Sequence, residues 1–380
     1  MKNRLKAISL FSNVGVAETY LEEIGIDVLV ANEIDQQRAQ FYKHLYPKTI
    51  MVTGDITKED IQENILLESK KQPIDIVIAT PPCQGMSVAG KRDPLDIRNQ
   101  LIFYAVELIK QINPNYVFLE NVPQTLTTRI KVNGELMLIP DYLKKELGNT
   151  YNFCDQNIVS AQDYGVPQMR KRNIFLLSKK NCKTQWSMPL PMERITLREA
   201  IGNLPSVDPI LKEGIEETLK MFPDFEKKKN AALKVSKYHF PPKHAKKHVI
   251  AMMHTPSGHT AFDNQEFYPK KDNGGRVNGH YNTYRRLSWD KPSRTMTQNS
   301  GVISSLACVH PGREYYDGNG EKLYSDPRCF TLLELFIVTS LPKDWNVPEW
   351  ADKKLIRKVI GEGIPPMLVK NIFLNLINHL

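Results

Sequence analysis

The stretch Asp75-Ile-Val-Ile-Ala-Thr-Pro-Pro-Cys-Gln-Gly-Met-Ser87 decides how this chain is read. Its apolar, β-branched opening, Ile76 to Ala79, predicts a short buried strand. Pro81 and Pro82 cannot continue that strand, and they stiffen the chain just past its carboxyl end. A thiol, Cys83, is thereby presented at the edge of a sheet, where open α/β folds keep their ligands. A free cysteine is ordinarily a small core hydrophobe. Here two prolines, Gln84 and Gly85 surround it, which pack poorly and expose well, and the neighbourhood points to a nucleophile.

Toward the N-terminus, Ala7 to Phe11 reads as a first strand, followed by the turn Ser12-Asn-Val-Gly-Val16 and an amphipathic helical run from Ala17 to Ile24. Such a strand–turn–helix is where a Rossmann-like fold sets a cofactor against a helix N-terminus. Asp27 to Asn32 reads as a second strand ending in Glu33-Ile-Asp35, and Ile50 to Ile56 holds a third ending at Asp55. An acid after the second strand suits two ribose hydroxyls. Asp35 can instead favour the N-terminus of the helix expected over Gln36 to Tyr46, which leaves Glu33 for the ribose. Acidic and apolar groups at successive strand ends indicate an adenosine-containing cofactor.

Toward the C-terminus, Lys91 to Asp96 is polar and suits a lid, and Arg98 to Ile112 has helical period. Tyr116 to Leu119 is a further strand with Glu120 at its end, so a carboxyl and a thiol follow strands that open on one crevice. Asn121 is expected in a supporting role. Strands are also expected over Asn152 to Val159 and Arg172 to Leu177. The alternation defines an α/β class with a mostly parallel sheet. From Lys183 prolines break it, and a smaller loop-rich domain is expected over 183–351, with 1–182 and 352–380 forming the first domain. In the smaller domain Lys227 to His248 holds eight lysines and no acid. His244 and His248 stand four apart without further ligands at zinc spacing, so no metal is expected.

The chain has 51 Lys and Arg against 42 Asp and Glu, a net charge of +9, which favours a polyanionic partner. Five cysteines, odd in number and without a Cys-x-x-Cys pair, fit a reducing compartment without disulfides. The N-terminus runs straight into a strand, and no apolar run approaches a membrane span, so a cytoplasmic protein is expected.

Three motifs in order carry a resemblance to a known family. Pro-Pro-Cys-Gln at Pro81–Gln84, Phe118-Leu-Glu-Asn-Val122 and Tyr164-Gly-Val-Pro-Gln-Met-Arg-Lys-Arg172 resemble the cysteine loop, the Glu-Asn-Val motif and the Gln-x-Arg-x-Arg motif of the cytosine-C5 DNA methyltransferases. Arg285 to Thr297, Val309-His-Pro311, Arg328 to Glu334 and Gly361 to Pro366 resemble later segments of that family. The chain departs from it at Asn13 and Val16, where glycines are common, and at Glu362, where asparagine is usual.

The resemblance implies S-adenosylmethionine as methyl donor, held by Phe11, Asn13, Gly15, Glu33, Ile34, Asp55, Ile56, Pro82 and Leu101. It implies Cys83 as nucleophile, Glu120 as acid toward the ring nitrogen, and Arg170 and Arg172 as cations for the thiolate, with Arg172 also toward the base oxygen. Double-stranded DNA is the expected partner, contacted by Gln84, Ser87, Gln168, Lys227, Lys228, Lys229, Lys243, Lys246 and Lys247. A monomer paired in function with a restriction endonuclease, without a stable complex, completes the expectation. Two other readings remain open from the residues: methylation of cytosine in RNA, and a DNA-binding protein with a decayed cofactor site.

Overall fold

The computed structural model describes residues 4–82, 97–271, 273–279 and 281–380. Cys83, Gln84, Ser87 and the 91–96 stretch lie outside the described residues. The chain divides into two compact units, Met1–Tyr164 with Lys171–Met192 and Ile364–Leu380, and Gly165–Arg170 with Glu193–Gly363.

The first unit contains β1 (Leu5–Leu10), β2 (Ile26–Glu33), α1 (Gln36–Leu45), β3 (Ile50–Thr53), α2 (Glu59–Ser69), β4 (Ile76–Ala79), α3 (Leu101–Ile112) and β5 (Tyr116–Asn121). A hairpin of β6 (Arg129–Val132) and β7 (Glu135–Leu138) follows, then α4 (Ile139–Leu147), β8 (Tyr151–Phe153) and β9 (Ile158–Ser160). After β10 (Gln168–Met169), which belongs to the second unit, β11 (Lys171–Lys179) closes the set. The sheet runs β3-β2-β1-β4-β5-β11-β8, with β9 also on β11. Strands β1 to β5 pair in parallel, whereas β11 enters antiparallel to β5. The fold is α/β with a mostly parallel sheet. All four residues of β4 are buried, as a parallel strand covered on both faces requires.

Two sequence expectations need correction. Residues 17–24 form hydrogen-bonded turns rather than a helix. Their amides reach back mostly three residues, as in Glu18 N to Gly15 O (3.2 Å) and Leu21 N to Glu18 O (2.9 Å), and the Glu18 side chain turns inward to accept from Ser9 Oγ. The single strand expected over Asn152 to Val159 is two. Strand β8 pairs with Leu177–Lys179 and β9 with Lys171–Asn173, and the chain between them steps along β11.

The second unit has little sheet: β10 pairs with Ser293–Arg294, and Ile210–Leu211 pairs with Lys243–His244. It carries α5 (Leu197–Ile201), α6 (Ile215–Met221), α7 (Phe225–Val235), α8 (Lys246–Met253), α9 (Leu332–Val338) and α10 (Lys353–Glu362). Helix α10 therefore lies outside the unit expected to hold 352–380, because Arg357 on it donates to Phe330 O at 2.6 Å. Only α11 (Pro366–Ile377) returns to the first unit, where Phe373 packs on Trp186 at 4.8 Å between ring centres.

Charged groups occupy the middle of the second unit. Arg328, fully buried, donates to Glu334 Oε2 (2.7 Å), Asp326 Oδ1 (2.8 Å) and Val207 O (2.6 Å). Burial pushes the Glu334 carboxyl up, but Arg328 outweighs it and the pKa is pulled down to about 2. Glu334 also closes a capping box with Thr331 at the start of α9. Arg328→Ala leaves two buried carboxylates without their cation. It is expected to cost about 3–5 kcal/mol, read as a lowered denaturation midpoint. A loss below about 1 kcal/mol would show that the carboxylates find other partners.

Candidate active site

The carboxyl ends of β1 to β5 lie along one edge of the sheet, as the parallel register demands: Leu10 pairs with Asn32 and with Ala79, Glu33 with Thr53, and Ala79 with Leu119. The segments leaving these ends are the Phe11–Val16 turn, Glu33–Asp35, Gly54–Ile56, Thr80–Pro82 and Glu120–Asn121.

The turn after β1 is tightly specified. Phe11 (φ 59°), Asn13 (φ 52°) and Gly15 (φ 80°) all have left-handed backbone, and asparagine at 13 meets that demand. A Cβ on Gly15 would lie 2.2 Å from the Tyr46 ring, and Tyr46 Oη donates to Gly15 O at 2.6 Å. Glu33, at the end of β2, accepts from Asn13 N and from Asp35 N, both at 2.9 Å. Burial pushes its pKa up. Asp35 caps α1 through Arg38 N (3.1 Å), as expected, so the two acids divide their work. Ile34 between them is 65% exposed, a bare apolar face beside a carboxylate. Asp55 makes a local turn by accepting from Thr57 N, Ile56 is buried, and Leu101 and Pro82 are half-buried.

The second cluster comes from β5 and β11. Glu120 Oε1 and Arg172 Nε lie 2.6 Å apart, and each side chain is 11% exposed. Glu120 is in register with Ile174, so Arg172 is its diagonal neighbour on the same face. Arg172 Nη1 donates to Lys171 O, while Nη2 has no hydrogen-bond partner among the described residues. Asn121 donates to Pro81 O at 3.0 Å, which ties the end of β5 to the proline pair ahead of Cys83. Its supporting role has a physical form.

Two expected site residues behave otherwise. Arg170 lies in the second unit, buried, with Nη1 donating to Met296 O (2.9 Å) and Nη2 to Gly361 O (2.8 Å). Gln168, expected at DNA, is fully buried; it donates to Val338 O and accepts from Met296 N, both at 3.2 Å. Among the expected DNA-facing lysines, Lys228 pairs with Asp208 (2.8 Å), Lys229 with Glu226 (2.7 Å) and Lys246 with Glu217 (2.6 Å). Lys227, Lys243 and Lys247 are exposed. Sequence reading passed over the acids because all four that border these lysines, Asp208, Glu213, Glu217 and Glu226, lie outside the lysine-rich stretch.

One residue was missed entirely. Glu18 is buried beneath the β1 turn, accepts from Ser9 Oγ, and its Oε2 has no partner among the described residues. Burial pushes its pKa up to about 7. No pattern around Glu18 signals this, since the run from Ala17 to Ile24 reads as an amphipathic helix.

These strand ends belong to an α/β domain of the Rossmann type. The chain belongs to the C-5 cytosine-specific DNA methylase family, whose profile matches residues 5–378. It is therefore a DNA cytosine methyltransferase. It is 40% identical over 384 residues to the type II methyltransferase M1.HgaI of Avibacterium volantium, covering 100% of both chains. It is 24% identical to M1.HphI of Haemophilus parahaemolyticus, covering 97% of this chain and 85% of the other. A prophage-encoded DNA modification methyltransferase from E. coli has the same fold, with a TM-score of 0.67 and 23% identity over 98% of this chain and 99% of that one.

Glu18 supplies a pH test. Its pKa is raised on folding, so the folded state holds the extra proton, and stability falls as pH rises from about 4.5 to about 7. Glu18→Gln is expected to raise the melting temperature at pH 8 relative to the parent and to change it little at pH 5. An equal shift at both pH values would rule out ionisation of Glu18 as the cause.

Proposed function

We propose that the protein methylates carbon 5 of a flipped-out cytosine in a specific double-stranded DNA site, using S-adenosylmethionine and a covalent adduct to Cys83. The observation that carries the reading is the Glu120–Arg172 pair beside the Asn121-anchored Pro81, just ahead of the cysteine.

Carbon 5 of cytosine is a weak nucleophile, and addition of a thiolate at C6 turns it into an enamine-like carbon. A free cysteine has a pKa of about 8.5, so cationic surroundings favour the thiolate. Arg172, beside Glu120, is the nearer cation for this role, while Arg170 also holds the Met296 and Gly361 carbonyls. As electrons move onto N3, the protonated form of Glu120 delivers a proton there, and Nη2 of Arg172, without a hydrogen-bond partner among the described residues, suits the base O2. The C5 proton then leaves to a base or water, and the thiolate is expelled. None of these ring atoms is reachable inside a duplex, so the base must be extruded.

The turn at Phe11–Val16, the Glu33 carboxylate and the exposed Ile34 fit an adenosine: one acid for ribose hydroxyls and one apolar face for a flat ring. S-adenosylmethionine, when bound there, supplies the electrophilic methyl group. The second unit selects the site, since the strand-end edge meets only one base. Likeness to type II methyltransferases supports a role in protecting host DNA from a restriction endonuclease; the two act without a stable complex. The protein acts as a monomer in the cytoplasm; no described helix is long and apolar enough to cross a membrane.

Cys83→Ser should abolish methyl transfer while cofactor and duplex still bind. Duplex carrying 5-fluorocytosine at the target should trap the parent enzyme covalently, because fluorine cannot leave as a proton does. An adduct formed by Cys83→Ser would remove Cys83 from the mechanism.

Glu33→Ala should weaken S-adenosylmethionine binding by roughly tenfold to a hundredfold, since a charged acceptor is lost. The melting temperature of the variant is measured alongside, because Asn13 N and Asp35 N lose their acceptor too. An unchanged dissociation constant would confine Glu33 to holding the turn.

A further inference from the structure

The lysine-rich helices α7 and α8 are a poor place to look for sequence reading. Lys228, Lys229 and Lys246 spend their charge on Asp208, Glu226 and Glu217. A different element of the second unit presents cations with no carboxylate partner among the described residues. Around Asn273 the chain makes a narrow antiparallel ribbon: Lys270 bridges Arg276, Lys271 N donates to Gly275 O (2.7 Å), and Val277 N donates to Pro269 O (2.9 Å). Its turn is built for this sequence. Gly275 N donates to Asn273 Oδ1 (3.1 Å), and Gly274 has φ +80° with nothing within 4 Å of a would-be Cβ.

Two of the ribbon's cations are braced by an aromatic ring. Lys270 (5.1 Å) and Arg276 (4.9 Å) both sit over the Tyr268 ring, and Arg276 also donates to Phe262 O. Stacking holds a long side chain in place without cancelling its charge, so less entropy is lost when it meets a ligand. At the root Arg285 lies over Tyr281 (4.7 Å) and donates to Gly258 O (2.7 Å). The Phe262 ring fills the space where a Cβ on Gly279 would sit and packs edge-on against Tyr284 at 5.6 Å. A rigid root therefore carries an exposed, cationic tip: Lys271, Asn273 and Arg276 are all exposed. A two-stranded ribbon is one of the few elements that a DNA major groove admits.

Resting on the proposal that the second unit selects the DNA site, we infer that this ribbon enters the major groove and that Lys271 and Arg276 read base edges. Both side chains only donate, and the edge that presents two acceptors is that of guanine, at O6 and N7. The recognition site therefore contains guanine under the ribbon. Lys227 and Lys243, exposed on α7 and just ahead of α8, serve the phosphates.

The test compares Lys271→Ala, Lys271→Ala/Arg276→Ala and Lys227→Ala/Lys243→Ala in the full chain. Each is assayed on a randomised duplex pool by methylation sequencing, and for duplex affinity against salt. S-adenosylmethionine binding and melting temperature certify that each variant is folded. Lys271→Ala, whose side chain has no partner among the described residues, guards against the double variant disturbing the turn. The ribbon variants should lose roughly tenfold to a hundredfold in preference for the parent site and accept other bases at the guanine positions. The Lys227/Lys243 variant should keep the parent site and lose affinity alike on all duplexes, with a shallower salt dependence. Two results would overturn the inference: folded ribbon variants that keep the parent preference, or ribbon variants that weaken all duplexes equally, which marks a phosphate contact. Failure of the parent enzyme itself to methylate any duplex in the pool would instead strike at the proposed function.

Discussion

Arg172 stands beside Glu120 only because β11 runs antiparallel to β5. A parallel last strand, reached by a crossover helix, would send its carboxyl end to the edge where β11 now begins. As built, the first residues of β11 meet the last residues of β5, and a cation arrives at an edge otherwise supplied with acids. Two charges so little exposed are costly to desolvate unless they face each other. The hydrogen-bonded pair is thus both a consequence of the strand reversal and a constraint on the rotamers of both side chains. Asn121, one residue on, extends the same constraint to Pro81.

The second unit solves a different problem. It lacks a sheet large enough to pair its backbone, and its loops bury carbonyls that need donors. Arginines meet that need. Arg286 donates to Met252 O, His310 O, Asp326 O and Tyr324 O, while Arg328 ties Val207 O to two carboxylates. Arg170 and Gln168 belong to the same scheme, holding Met296, Gly361 and Val338. Arg170, a cation in the family motif, thus also holds backbone carbonyls in space.

Legibility followed the range of the interaction that decides each feature. The strands at Ile76–Ala79 and Tyr116–Asn121 are continuous apolar runs, and burial on both faces of a parallel sheet needs nothing more. Asp35 as a helix cap is a contact spanning three residues and was readable. The 17–24 segment has helical spacing, yet it folds as successive turns with the Glu18 carboxyl accepting from Ser9 Oγ, a contact the spacing does not encode. The lysines of α7 and α8 looked like a phosphate surface because the acids that pair with Lys228 and Lys246 come from about thirty or fewer residues earlier in the chain.

By itself, the sequence determined the α/β class, the order of the strands' polar ends, and the three motifs that place the chain in its methylase family. Those features rest on local propensity, on period and on residue type at short spacing. Tertiary structure alone decided which charged side chains are available. Arg172 faces Glu120, Arg170 and Gln168 turn into the second unit, Glu18 is buried under the turn, and the ribbon cations at Lys270, Lys271 and Arg276 have no carboxylate partner among the described residues. Availability depends on which partner lies within a few ångströms, and in a folded chain that partner is set by packing rather than by position in the sequence.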